Sequence, residues 1–225
     1  MKVLQAVLVN GCSLSTAKLV LPELLEEPRQ RSLAMELVNG VLRWRFRLES
    51  LLAKCLSKPL RKKDVDVKLV LLLALYELTE LNTPDYAVVN EAVAQAGQMG
   101  KQWASAMINA VLRGFIRDRD ALLKSVDGDA VARLSHPQWL IDLIRQDWPD
   151  QAGQILEANN QRPPMWLRIN LARVSVADYL KLLEAEGLSA VAHPHAAAAL
   201  RLASAVDVSR LPGFSEGLVS VQDAA

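Results

Sequence analysis

Six residues, Asn159-Asn-Gln-Arg-Pro-Pro164, divide this sequence into two kinds of periodicity, and that division limits the fold more than any other feature. Before them, apolar residues recur at helical spacing almost without interruption. Beyond them, Trp166-Leu-Arg-Ile-Asn170 alternates with period two, as a half-buried strand does. A single uniform architecture is excluded. The expected fold is mainly α: a helical bundle, a helical connector and a small α+β domain.

Leu4, Val7 and Leu8 keep helical spacing up to Gly11, and 14–25 reads as a second short helix closed by Glu26-Glu-Pro28. One long pattern starts at Leu33, runs through Leu37, Val41, Leu48, Leu51, Leu52 and Leu56, and breaks at Pro59. The stretch 67–81 is apolar on nearly every face, which places it at the bundle centre. Thr83-Pro84 reads as an N-cap followed by proline at the first helical position. That helix carries Val88, Ala92, Val93 and Ala96. A last one is marked by Ala104, Ile108, Val111, Leu112 and Phe115. The charged stretch 118–129 reads as the exit from the bundle. Helical pieces at 137–146 and 149–158 follow, each opened by a proline. After the 159–164 break come a strand at 166–170, a helix at 176–186 ended by Gly187, and short strands at 200–203 and 218–221. The expected domains are 1–125, 126–162 and 163–225.

Half of the 225 residues are hydrophobic (51%) and 23% are charged, which excludes collagen-like, coiled-coil and disordered classes. The most apolar run, Leu69 to Tyr76, spans eight residues between Lys68 and Glu77. A membrane span needs roughly 20, so it is a core helix and no membrane partner is expected. The only cysteines, Cys12 and Cys55, form no CxxC pair, and no signal peptide precedes them, which points to a reduced, cytoplasmic setting. Cys55 lies among Leu51, Leu52 and Leu56 and reads as core.

No catalytic motif is present: no P-loop, GxGxxG after a strand, GxSxG, HExxH or paired-cysteine zinc spacing. His193-Pro-His195 supplies two metal ligands without a third nearby, so a surface loop is expected and no metal site. On this evidence the chain acts by binding.

The near-neutral total charge hides an asymmetry. Residues 1–117 hold 16 basic against 11 acidic side chains, and residues 118–225 hold 10 against 14. The excess concentrates in Arg43, Arg45, Arg47, Lys54, Lys58, Arg61, Lys62, Lys63 and Lys68, opposed only by Glu49, Asp64 and Asp66. Such a run attracts a polyanion and draws affinity from released counterions. Trp44 and Phe46 interleave with the arginines, either as a base-stacking surface or packed inward. Arg113 and Arg117, four apart on the last bundle helix, either extend the patch or offset its C-terminal dipole. In the strand, Trp166, Arg168 and Asn170 share one face, which suits an unstacked nucleotide or, equally, a neighbouring domain.

Gly11-Cys-Ser-Leu-Ser15, Glu36-Leu-Val-Asn-Gly-Val-Leu-Arg43, Leu75-Tyr76-Glu-Leu78, Asn90-Glu-Ala-Val93 and Asn109-Ala-Val-Leu-Arg113 resemble a NusB-type RNA-binding bundle. Leu134-Ser-His-Pro-Gln-Trp-Leu140 and the segment from Glu157 to Asn170 narrow the match. With Leu211-Pro-Gly-Phe214 and Val219-Ser-Val-Gln-Asp223, they resemble the Sun/Fmu (RsmB) type of ribosomal RNA cytosine-C5 methyltransferase. The resemblance implies small-subunit ribosomal RNA as partner, and S-adenosylmethionine as the cofactor of a parent enzyme. It also implies a separate methyltransferase domain that holds the Gly-rich cofactor motif and two catalytic cysteines. None of those motifs has a counterpart here, and neither Cys12 nor Cys55 inherits a role. The chain is therefore expected to be an N-terminal fragment, with no cofactor of its own and no activity alone. The alternative is a free-standing transcription antitermination factor, against which the 134–223 region argues. A third is a helical module that docks protein only.

Overall fold

The computed structural model describes residues 1–223 and separates into two units, Met1–Asn160 and one from Gln161 onward. In the first unit, α1 (Lys2–Leu8) is followed by Gly11 at φ 70°. The stretch 14–25, expected as one helix, is broken into α2 (Leu14–Ala17), a 3-10 turn at Lys18–Val20 and α3 (Leu21–Leu24). Pro22 has no N–H to continue the ladder. The long pattern from Leu33 is likewise two helices, α4 (Pro28–Arg43) and α5 (Arg45–Cys55), parted at Trp44, where φ is −94° and ψ 16°. Trp44 packs against the core. Val41 and Leu48 keep a seven-residue spacing across the break, which is why periodicity concealed it.

The bundle centre is α6 (Val65–Glu80), with Val67, Leu69 to Leu72, Ala74 to Tyr76 and Leu78 all buried. Helix α4 approaches it at Gly40: a Cβ there would lie 1.9 Å from Tyr76 Cζ. The Tyr76 hydroxyl donates to Glu36 Oε1 at 2.9 Å, fixing the ring over the glycine. In α7 (Asp85–Gln98) the N-cap is Pro84, whose carbonyl accepts from Ala87 and Val88, so Thr83 falls one residue outside the expected place. Helix α8 (Gln102–Arg117) buries Ala104, Ile108, Val111, Leu112 and Phe115, the stripe read from the sequence.

The charged stretch 118–129 is not an exit loop. It forms α9 (Arg119–Asp127), whose Val126 is buried in the bundle core, and Arg47 of α5 reaches Asp127 at 2.5 Å. A short α10 (Ala130–Leu134) follows, capped by Asp129 accepting from the Val131 N–H. It ends at Ser135 (φ 52°), whose hydroxyl donates to the Arg43 carbonyl at 3.0 Å. Helices α11 (Gln138–Asp147) and α12 (Ala152–Asn159) share a separate small core of Leu134, Ile141, Ile144, Ala152 and Leu156.

The second unit is one antiparallel sheet, order β2-β3-β1-β4, with a helix on one face. Its elements are β1 (Trp166–Ile169), α13 (Val176–Ala185), β2 (Ala190–Ala192), β3 (Ala199–Leu202) and β4 (Val219–Val221). Strand β2 was not expected, because Ala-Val-Ala carries almost no alternation. Ser175 caps α13 by accepting from the Asp178 N–H. Tyr179 and Leu183 of α13 pack on Leu167, Ile169, Leu200 and Leu202, with Leu211 and Val219 completing the core. Burial pushes the Tyr179 hydroxyl up to about 12, and it donates to the Pro212 carbonyl at 3.0 Å.

A core this small holds less stability than the bundle's. Native-state hydrogen exchange is therefore expected to release the β1 and β3 amides before those of α6. Equal protection of strand and helix would contradict that ordering. Among the described residues, no helix is long and apolar enough to cross a membrane.

Candidate nucleic-acid interface

The fold splits the basic run into tethered and outward-facing cations. Arg45 and Lys68 share Glu49, at 3.4 and 2.8 Å, and Arg47 is held by Asp127. Arg61 Nε meets Asp64 at 3.0 Å. Arg43, Lys54, Lys58, Lys62 and Lys63 are in no ion pair among the described residues; all but half-buried Arg43 are exposed. Lys62 and Lys63 stand together in a 3-10 turn, Lys62–Asp64, just before α6.

That turn is anchored from beneath by Asp64, whose side chain is only 5% exposed. Lys101 donates to Asp64 Oδ1 at 3.1 Å and to Asp66 Oδ1 at 2.7 Å, and reaches the Lys63 carbonyl at 3.3 Å. Burial alone would raise the Asp64 carboxyl, but the hydrogen bonds from Lys101 and Arg61 outweigh it and hold the group below its ordinary range. A depressed folded pKa stabilises above the unfolded value, about 3.9, and that stability is lost as pH falls through the folded one. The Tm difference between the protein and Asp64→Asn should therefore narrow on acidification below about pH 4. A difference constant from pH 6 to pH 3 would contradict the anchor.

The same anchoring sets an aromatic ring beside the cations. Trp103, on the first turn of α8, is 53% exposed, and the Arg61 guanidinium lies 6.0 Å from its ring centre. Of the two aromatics interleaved in the sequence, half-buried Trp44 packs against the core, and half-buried Phe46 has Arg45 at 5.7 Å. Trp103 was missed because it is forty positions from Lys63 in sequence. The only signal for it was an aromatic off the apolar stripe of its helix, two residues after Lys101.

Arg113 and Arg117 lie along α8, about 15 and 21 Å from Trp103 by helical rise. Arg113 Nε donates to Asn109 Oδ1 at 2.9 Å, and Arg117 grips Asp118 through two bonds of 3.2 and 2.8 Å. The fold does not bring them to the turn.

In the second unit, Leu167 and Ile169 are buried while Arg168 is exposed and Trp166 half-buried on the opposite face. Asn170 does not share that role. Its Nδ2 donates to the Gly217 carbonyl at 3.0 Å and its Oδ1 accepts from the Ala172 N–H at 3.3 Å, so the amide is spent on the turn. Arg201, unremarked in the sequence, stands opposite Trp166 in the register with its guanidinium 6.0 Å from the indole centre. The His193 ring meets the same indole edge-on at 5.2 Å. The signal for Arg201 was cross-strand pairing, which a single sequence does not display.

His193 Nδ1 accepts from the His195 N–H, and no group of three or more metal-ligating side chains occurs among the described residues. Cys12 is exposed; Cys55 is half-buried, its thiol pushed up by burial and then by Asp118. No strand among the described residues passes through a Gly-rich turn into a helix; β1 leads to α13 through Asn170-Leu-Ala-Arg-Val-Ser175.

Residues 1–117, just over half of the chain, match the NusB family model. The chain belongs to the NusB family. Beyond that NusB part, residues 136–209 match the model described as a Methyltr_RsmF/B-like, ferredoxin-like domain. Similar curated proteins are the ribosomal RNA small subunit methyltransferase B of Pseudomonas syringae pv. tomato, 42% identical over 226 residues, and that of Vibrio cholerae, 41% over 217. The probable counterpart of Coxiella burnetii is 40% identical over 225 residues. The alignments cover 96 to 100% of this chain, which spans about half the length of these relatives (49 to 51%). A solved structure described as "Crystal Structure of PH0851" superposes with a TM-score of 0.65 at 13% identity. It covers all of this chain and 52% of that one, and supports the fold alone.

Proposed function

We propose that this chain is the N-terminal RNA-recognising portion of an S-adenosylmethionine-dependent small-subunit ribosomal RNA cytosine-C5 methyltransferase. It works in the cytoplasm, and the chemistry belongs to a further methyltransferase domain. Domains at 1–125, 126–162 and 163–225 remain the proposed division of labour, with the first gripping folded RNA. The observation that carries the reading is the anchored turn. Lys62 and Lys63 project from a loop fixed by Asp64 and Lys101, next to the exposed ring of Trp103. Lysines supply sequence-independent phosphate contacts, and an aromatic face suits an unpaired base at a loop or bulge. Relatives named as ribosomal RNA small subunit methyltransferases support the choice of RNA.

The test is binding of a labelled small-subunit ribosomal RNA fragment across a salt series. The logarithm of affinity is expected to fall linearly with the logarithm of salt, because phosphate contacts release counterions. An affinity independent of salt would favour a protein-docking module instead. In the same preparation, tritium transfer from labelled S-adenosylmethionine to the RNA is expected to stay at background. Turnover by the chain alone would overturn the assignment of chemistry to another domain.

A further inference from the structure

We infer that the open face of the second unit's sheet is a site for an unpaired stretch of RNA, with Trp166 as its stacking surface and Arg168 and Arg201 as its cationic contacts. Helix α13 covers the other face, where Leu167, Ile169, Leu200 and Leu202 are buried. The register places Trp166 opposite Arg201, Arg201 opposite Val191, and Arg168 between Ala199 and Ser220. These paired positions hold two guanidiniums and an indole; one carboxylate, Asp223, lines a hollow beside Arg168.

Arg168 stands between two hollows. One, about 410 Å³, is shared with Asn170, Gly217 and Ser220. The other, about 300 Å³, is lined by Ala197, Gln222 and Asp223 among others. Neither arginine is in an ion pair among the described residues, and Arg168 makes one long bond, 3.3 Å, to Gln222 Oε1. A guanidinium so placed keeps donors for phosphate oxygens, and its plane stacks on a base as an indole does. The ligand is an unpaired strand because bases inside a duplex have both faces covered by their neighbours. A protein surface without acidic side chains is the poorer fit, because covering this face would strand two unpaired guanidiniums that phosphate oxygens would pair.

The inference rests on the RNA-binding reading of the chain but not on the Lys62–Lys63 turn. The whole chain is titrated, by fluorescence anisotropy, with an unstructured ribo-oligonucleotide and separately with a ribosomal RNA hairpin. Arg168→Gln with Arg201→Gln, both exposed positions, should weaken the oligonucleotide about tenfold or more and leave the hairpin within about twofold. Trp166→Leu should do the same, and Trp166→Phe, which keeps a stacking ring, should not. Oligonucleotide affinity unchanged in the double arginine variant would overturn the inference, as would no binding by the parent chain. If Lys62→Glu with Lys63→Glu spares the hairpin while the sheet variants still lose the oligonucleotide, the turn reading fails and the sheet site stands.

Discussion

Lys62→Glu combined with Lys63→Glu is expected to weaken binding to small-subunit ribosomal RNA at least about tenfold and to flatten the salt dependence. Each phosphate contact contributes about one unit to the slope of log affinity against log salt, so losing two should lower it by about two. Filter binding between roughly 50 and 200 mM salt resolves a change of that size. Arg61 is left in place because it meets Asp64 at 3.0 Å, and reversing it would set two carboxylates together beneath the turn. Lys62 and Lys63 are exposed and in no ion pair among the described residues, so the double variant should melt with the parent. An unchanged slope would remove the turn from the interface.

Gly40→Ala is expected to destabilise the first unit by about 2 kcal/mol or more, lowering Tm by about 4 °C or more. Helix propensity points the other way, since alanine is favoured over glycine by about 1 kcal/mol inside a helix. Packing decides the sign. The new Cβ would lie 1.9 Å from Tyr76 Cζ, and the ring is tied through its hydroxyl to Glu36. Gly114→Ala is the control. It lies within α8 with nothing inside 4 Å of a new Cβ, so it should be neutral or stabilising by up to about 1 kcal/mol. Thermal melts of the two variants check the pair. Gly40→Ala matching its parent would contradict the close approach of α4 and α6.

The helical body and the later strand were legible because burial imposes a period. Ala104, Ile108, Val111, Leu112 and Phe115 repeat at helical spacing and are all buried on α8. Leu167 and Ile169 alternate with Trp166 and Arg168 on β1. Local backbone events were less legible. The turn at Trp44 preserves the hydrophobic phase on both sides, so α4 and α5 read as one helix. Helix α9 was hidden by its charges: Val126 is buried, Leu122 and Leu123 pack half-buried against the same core, and Arg47 reaches Asp127.

For the candidate interface, the basic composition of 43–68 was visible, but the partners that sort it were not. Glu49 and Asp64 lie within the run, yet Asp127 and Lys101 are remote in sequence and near in space. The same holds for Trp103 beside Arg61, and for Arg201 opposite Trp166. Asn170 shows the converse: its place in the alternation suggested a ligand-facing amide, and a turn consumes it.

The most direct test of RNA recognition by the anchored turn is ultraviolet crosslinking of the parent chain to small-subunit ribosomal RNA, with the modified peptides mapped by mass spectrometry. Crosslinks are expected on the peptides that carry Lys58 to Lys63 and Trp103, lost on competition with unlabelled RNA. RNA bound without a crosslink to either peptide, or crosslinks confined to Arg113 and Arg117 on the far part of α8, would contradict it.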